Sequence, residues 1–296
     1  MSDLPIIIFR KARALFPGYW LARKFEQSTH GGRATYIGNN RVLTKVIVGD
    51  CDFAFVVEAD DRLISPWFIV TGKYDTATTN YLLRNLKRES HCLDVGSNFG
   101  YFTCLMARLC PAGKVIGIEA DPKIVEFARD NVVINGLHEV ARVVNAAASN
   151  SAAEMTLYRR SSRSANTSII QCGPAFTDMM RESPEEAFSV PGLRIDDLMD
   201  EMGGRVDFVK LDVEGAEPLA LAGATATIEH NPQIQILMEW SPGQIQAAGF
   251  EIGPFLRKIE ASQLRPFEID RRRPRPISFE ELTNLPYRSS ILLKRT

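Results

Sequence analysis

The chain has 296 residues, of which 45% are hydrophobic and 24% charged, an ordinary globular composition with room for one large domain or two small ones. Its 35 basic and 36 acidic residues leave a net charge of −1, so nothing in the overall charge drives it toward nucleic acid or an anionic membrane.

Residues 1–30 open the chain with an apolar, aromatic and basic stretch that includes Ile6, Phe9, Arg10, Lys11, Arg13, Phe16, Trp20 and Arg23. Residues 1–24 could lie on a membrane surface as a peripheral amphipathic segment. The alternative is an arm packed on its own domain or on a second copy of the chain, a homo-oligomer. Leu4–Phe9 is too short for a secretion signal, and no apolar run approaches the ~18 residues of a membrane span. Arg41–Val48 and Cys51–Glu58 are two β-rich runs around Gly49-Asp50, the pattern of a hairpin with a tight turn. Asp75–Arg88 has an acidic start and a basic end, which predicts a helix. Residues 1–88 therefore form an N-terminal helix and β-hairpin extension, and the cofactor-binding core runs over 89–296.

The core opens with Cys92-Leu-Asp94-Val-Gly96-Ser97-Asn98-Phe-Gly100, a strand entering a glycine loop. Gly96 and Gly100 permit positive φ and close backbone approach to a ligand. Tyr101–Cys110 has helical apolar spacing and Pro111-Ala-Gly113 stops it. Lys114–Glu119 is a second strand, and its terminal Glu119 follows Gly100 by 19 residues. That is close to the ~20-residue offset at which an acid reaches ribose hydroxyls. A dinucleotide loop packs three glycines around a pyrophosphate. Here the order is D-x-G-x-N-x-G, with an acid that would repel phosphate and would suit the ammonium of S-adenosylmethionine. The alternatives are NAD or FAD binding, or an α/β turn in which Asp94 only caps loop amides. Five cysteines (Cys51, Cys92, Cys104, Cys110 and Cys172) lack CxxC spacing; those at 92, 104 and 110 read as core residues, and reduced thiols fit a cytoplasmic protein.

Asp121-Pro122 caps a helix that runs to Ile134 and closes at Asn135-Gly136. Val140–Ala146 is a third strand, in which Asn145 and Ala146 fall where an adenine edge could be read; Asn145 could equally be a turn residue. Glu154–Tyr158 and Thr167–Ile170 suggest added strands. The polar stretch holding Arg159, Arg160 and Arg163, and the run from Gly173 to Gly192, read as a loop that serves either as a substrate lid or as a surface insertion. The arginines could meet a phosphate or carboxylate.

Val206–Asp212 is the fourth core strand. The turn at Val213-Glu214-Gly215-Ala-Glu217 leads into a helix over 218–229. Gln233–Trp240 is the fifth strand, Gly253–Ser262 a helix, and Arg265–Asp270 with Tyr287–Lys294 closes the sheet. The loop between them carries a basic patch, Arg271–Arg275. Strands alternating with helices mean a doubly wound α/β fold with a mostly parallel, Rossmann-like sheet of seven strands.

Ligands of such sheets bind at the carboxyl ends of the strands. Asp94, Glu119, Asp212 and Glu239 all end strands on that edge. Asp94, Gly96, Ser97, Asn98, Gly100, Glu119 and Ala120 are assigned to the cofactor, with Asn145, Ala146 and part of Asp212 completing it. Asp212, Glu214 and Glu239 then face the transferred methyl group. An alcohol nucleophile must shed a proton, and a carboxylate within reach can take it. Asp212 is the first candidate and Glu239 the second. These carboxylates could instead hold Mg²⁺, with Asp212 and Glu239 as ligands. Glu217 reads as a helix cap, and His91, His138 and His230 as structural.

Two exclusions follow from the fourth strand. An exocyclic-amine methyltransferase would show N/D-P-P-aromatic there, and a cytosine-C5 enzyme Pro-Cys; Asp212–Glu217 is neither, so nucleic-acid bases are not the substrate. The set Asp94–Gly100, Gly117-Ile-Glu-Ala-Asp-Pro122, Asn131 with Asn135-Gly136, Arg194–Leu198 and Asp207–Glu217 resembles the FkbM family of S-adenosylmethionine-dependent methyltransferases, over residues 70–245. The Lys210–Glu217 segment is its most specific part. Ser97 stands where the family has alanine. The resemblance implies a class I methyltransferase fold and O-methylation of a hydroxyl on a sugar, glycolipid, polyketide or similar small molecule. N- or carboxyl-methylation on the same fold, and a non-catalytic partner protein, are the alternatives.

Overall fold

The computed structural model describes residues 34–160, 164, 167–171, 185–269 and 274–296. The segment at 1–24, Arg163, most of the polar loop before residue 185 and Arg271–Arg273 of the basic patch lie outside the described residues.

Three antiparallel strands come first, β1 (Thr35–Gly38), β2 (Arg41–Val48) and β3 (Cys51–Glu58). The β2–β3 hairpin forms as expected, Val48 facing Cys51 across a two-residue turn in which Gly49 has φ +57°. Helix α1 (Thr76–Asn85) follows, its first turn capped by Asp75, whose carboxylate accepts from Thr78 N at 3.1 Å. Then come β4 (His91–Val95), α2 (Tyr101–Leu109), β5 (Lys114–Glu119), α3 (Ile124–Ile134) and β6 (Ala141–Asn145). The short β7 (Ala147–Ala148), β8 (Glu154–Arg159) and β9 (Glu186–Leu193) form a separate three-stranded sheet. The chain ends with β10 (Phe208–Leu211), α4 (Glu217–Ala222), α5 (Thr225–His230), β11 (Gln235–Trp240), α6 (Pro242–Ala247), α7 (Ile252–Ala261), β12 (Arg265–Glu268), β13 (Arg275–Pro276), α8 (Phe279–Asn284) and β14 (Arg288–Lys294).

The main sheet has the order β13-β12-β14-β11-β10-β4-β5-β6. The five strands from β11 to β6 are parallel, and β14 runs antiparallel between β11 and β12. Seven strands are those the sequence predicts; the two-residue β13 adds an eighth at the edge. Alternate residues divide between two cores, as the pleat requires. Cys92, Phe208, Leu237 and Leu292 join α1–α3 and the hairpin on one face. Leu93, Val95, Val209, Leu211, Ile236 and Met238 join α4, α5 and α7 on the other. Helices thus cover both faces, which defines a doubly wound α/β fold.

Three details differ from the sequence reading. Thr167–Ile170 forms no strand; Ser168 makes only a single antiparallel bridge to Tyr158. The run up to Gly192 is not all loop: Glu186–Leu193 is a strand paired with β8, and Pro191 hid it by breaking the β pattern. The helix over 218–229 is split at Gly223. The Gly223 carbonyl accepts from Asp196 N at 2.8 Å, and a Cβ there would overlap the Ser149 carbonyl, so the backbone turns aside at this point.

Two asparagines dock α3 on the outer edge of β3, the edge not paired with β2. Asn131 accepts from Val56 N at 2.7 Å and donates to Val56 O at 2.9 Å; Asn135 does the same with Ala54 at 3.0 and 2.8 Å. Each amide mimics a strand partner for a residue two apart on the ladder. Asn131 also donates to Phe99 O at 2.8 Å, tying the glycine loop to the hairpin. Asn131→Ala should therefore lower unfolding free energy by about 3 kcal/mol, because buried backbone groups lose their partners. A urea titration reads this directly, and a loss under about 1 kcal/mol would mean that water replaces the amide.

Candidate active site

At the carboxyl ends of the parallel strands lies a cavity of about 730 Å³, within the usual range for small-molecule sites. Gly96, Ser97, Asn98, Glu119, Ala120 and Ala146 line one end of it, and Asp212, Glu214 and Glu239 line the other. Asp94, Gly100 and Asn145 stand outside its wall and support it. Asp94 is fully buried under the loop, with one oxygen accepting from Thr103 Oγ1 at 2.6 Å and the other unpartnered. Asn145 donates to the carbonyls of Glu119 and Ala120, both at 2.9 Å, and so holds the end of β5 in place.

The glycine loop is tight because β4 and β10 are neighbours. Gly96 has φ +79°, and a Cβ there would overlap the Asp212 carbonyl. Asn98, at φ +48°, donates its backbone N–H to Glu119 at 2.7 Å, and Glu119 takes a second bond from Asp121 N at 2.8 Å. Asn98 Nδ2 donates to Ser164 O at 3.0 Å, and Ser164 is itself bonded to Asp61 at 2.9 and 3.0 Å. One residue of the polar stretch thus straps the loop to the extension.

At the far end, Lys210 Nζ donates to Asp212 at 2.9 Å while its side chain lies across the Phe102 ring. Burial works against the Lys210 ammonium, but Asp212 and Asp94 outweigh it and lift its pKa above the ordinary range. Asp212 keeps 32% of its side chain exposed. Glu214 bonds to Gln244, and its pKa is pushed up to about 8 by burial and by Asp212. Glu239 is pushed to about 10 by burial, then by Asp212 and Glu214, and shares a hydrogen bond with Tyr287. Asp212, Glu214 and Glu239 each bring a carboxylate oxygen within 4.8 Å of the other two, close enough to share one cation. Glu217 turns away from them and accepts from Val213 N at 3.1 Å and Gly215 N at 3.4 Å, as a helix cap does.

Burial also raises Glu119 and Glu217 to about 7 from an ordinary 4.5. These acids are protonated more readily folded than unfolded, so their stabilising effect is complete below about 4.5 and is lost as pH rises through 7 to 10. The thermal midpoint should fall by roughly 5–10 °C between pH 5 and pH 9. Glu239→Gln should flatten that slope, and a midpoint that rises with pH would contradict the account.

Other residues take ordinary roles. Arg159 pairs with Asp121 and Glu186, and Arg160 with Glu185, so both serve the fold. His91 bonds to Glu89 O at 3.2 Å and His230 to Ala226 O at 2.8 Å, away from the cavity. The cavity also takes Ile64, Trp67, Phe68, Tyr74 and Tyr287, which the sequence does not single out. Among the described residues, no helix is long and apolar enough to cross a membrane.

A Rossmann-like sheet with an antiparallel strand beside the last parallel one, a glycine loop after its first strand and an acid after its second is that of a class I methyltransferase. The family model for the methyltransferase FkbM domain matches residues 94–264, more than half of the chain, and the chain belongs to the FkbM methyltransferase family. Methyltransferase sdnD of Sordaria araneosa is 24% identical over 189 residues, covering 56% of this chain and 72% of that protein. The structure of methyltransferase FkbM from Methylobacillus flagellatus KT aligns at TM-score 0.35 and 16% identity, over 58% of this chain and 41% of that one. The O-methyltransferase from Bacillus cereus in complex with SAH aligns at TM-score 0.42 and 15% identity, over 75% and 81%.

Proposed function

We propose that the chain is an S-adenosylmethionine-dependent O-methyltransferase acting on a hydroxyl of a sugar, glycolipid or other natural product. One observation carries this reading: the glycine loop with Glu119 and the carboxylates Asp212, Glu214 and Glu239 line a single cavity. The residues fit such a cofactor. The loop end presents carboxylate and backbone, and Ser97 Oγ is buried there with no partner. Lys210, the buried cation of this wall, is engaged with Asp212, so a pyrophosphate would meet acids without a free buried counter-charge. Gly96, Ser97 and Asn98 would bind one end of the cofactor and Glu119 its ribose, with Ala120 and Ala146 beside the base.

S-adenosylmethionine, when bound, supplies an activated methyl group for in-line displacement by the acceptor oxygen. The chain orients the acceptor and removes its proton. Asp212 accepts the hydroxyl proton. Glu239 and Glu214 hold their own protons near neutral pH and donate hydrogen bonds to the acceptor. Lys210 keeps Asp212 in place and supplies the positive charge that a Mg²⁺ ion would otherwise bring. The buried thiols of Cys92, Cys104 and Cys110 suit a reducing, cytoplasmic setting.

Transfer of label from [methyl-³H]S-adenosylmethionine to a panel of hydroxylated acceptors, with amine and carboxylate acceptors alongside, tests the reading. Label on hydroxyls alone, undiminished by EDTA, is the expected result. Label on amines, or loss of transfer with EDTA and its return with Mg²⁺, would replace it with N-methylation or with a metal-assisted route.

A further inference from the structure

The acceptor end of the cavity is walled differently from the cofactor end. Tyr74 and Tyr287 stand near enough to Asp212, Glu214 and Glu239 for those carboxylates to add to burial in raising both phenols, and Ile64, Trp67 and Phe68 line the same cavity. Trp67 is 58% exposed and Tyr287 56% exposed, and both line the cavity. Large aromatics left at a cavity mouth are costly to solvate and are suited to receive a ring.

Trp67 is presented on a fixed turn. Asp61 accepts from Ile64 N at 2.8 Å and Ser65 N at 2.6 Å, and Trp67 N donates to Ile64 O at 3.0 Å. The turn Trp67–Thr71 has the wide π-helical winding often found at functional sites. Its Phe68 is fully buried between Phe55 and Tyr74, at ring separations of 5.6 and 5.3 Å. Tyr74 in turn packs edge-on to Tyr101 at 5.6 Å. An aromatic stack thus anchors the turn from beneath and leaves the indole outward.

The polar side chain of the Trp67–Thr71 turn is already committed, and so is the nearby Asp75. Thr71 Oγ1 donates to Trp67 O at 2.6 Å and accepts from Lys73 N at 3.1 Å, and Asp75 caps α1. A sugar bound on an indole needs in-plane partners for its ring hydroxyls as well as a stacking face. This turn offers the face without them. Trp67 also lies outside residues 94–264, the segment matched by the family model.

We infer that the acceptor carries its reacting hydroxyl on a flat apolar body, an aromatic or fused-ring scaffold, which stacks on Trp67 while the hydroxyl reaches Asp212. This rests on the O-methyltransferase reading above and narrows it. Tyr287 closes the other side of the same opening.

Calorimetric titration tests the inference, with 2-naphthol and methyl β-D-glucopyranoside as probes and S-adenosylhomocysteine titrated separately. Wild type should bind 2-naphthol and give no measurable heat with the glucoside. Trp67→Ala should weaken 2-naphthol by about tenfold or more, and Trp67→Phe should stay within about threefold of wild type. S-adenosylhomocysteine affinity should be the same in all three proteins, which also reports that each is folded. No naphthol binding to wild type, equal binding of the glucoside, or full naphthol affinity in Trp67→Ala would each overturn the inference. Loss of S-adenosylhomocysteine binding in wild type would instead sink the cofactor reading, and a Trp67-dependent naphthol signal would survive it.

Discussion

Asp212→Asn is expected to lower turnover about 10²–10⁴-fold, the usual contribution of a positioned proton acceptor, while S-adenosylhomocysteine affinity stays within about threefold. The reason is its place in the cluster. Glu214 and Glu239 crowd it and are themselves pushed up to about 8 and about 10, so near neutral pH they keep their protons. Asp212 instead accepts from Lys210 at 2.9 Å and keeps part of its carboxylate open to the cavity. The amide is the same size and still accepts a hydrogen bond from Lys210, with Asp94 left as the charge beside that ammonium, so the geometry survives while proton uptake is lost. Glu239→Gln should cost far less, under about tenfold, because a protonated acid and an amide both donate. Single-turnover measurement of methyl transfer separates the two variants. Unchanged turnover in Asp212→Asn would move the proton acceptor elsewhere.

Lys210→Met is expected to destabilise the fold by about 3–5 kcal/mol, the cost of leaving a buried charge unpaired. The Lys210 side chain is 7% exposed and its ammonium is held by Asp212 with Asp94 nearby. Asp94 lies wholly buried, held only by Thr103 at 2.6 Å through one oxygen, with burial already raising its pKa. Without Lys210 that rise should grow, so the variant should recover stability as pH falls and Asp94 takes a proton. Adding Asp94→Asn should restore part of the loss at neutral pH. Chemical unfolding of the two variants at pH 5 and pH 8 reads both effects. A loss below about 1 kcal/mol, or one that does not depend on pH, would show that the pair is open to water.

Much of this was legible in the residues. The glycine loop, the acid at the end of β5 and the acid-rich turn after β10 are each encoded within a few residues, by backbone conformation and by capping. The capping box at Ser278 and Glu281 that starts α8 is also written locally, in a serine three residues before a glutamate. By contrast, β9 was masked by Pro191, and the break at Gly223 depends on the Ser149 carbonyl and the Asp196 amide, which no local pattern reveals.

The sequence by itself determined the alternation of strand and helix, the doubly wound sheet and the family, because each follows from short-range spacing. Only the tertiary structure decided what surrounds the carboxylates. It brought Trp67 and Tyr74 from the extension, Ser164 from the polar stretch and Tyr287 from the last strand's approach to one cavity with Asp212. It also put Asp94 and Asn145 behind the wall, and turned Arg159 and Arg160 into ion-pair partners of the fold. A side chain's exposure and pKa come from whatever packs against it, and here those neighbours lie tens to hundreds of residues away along the chain.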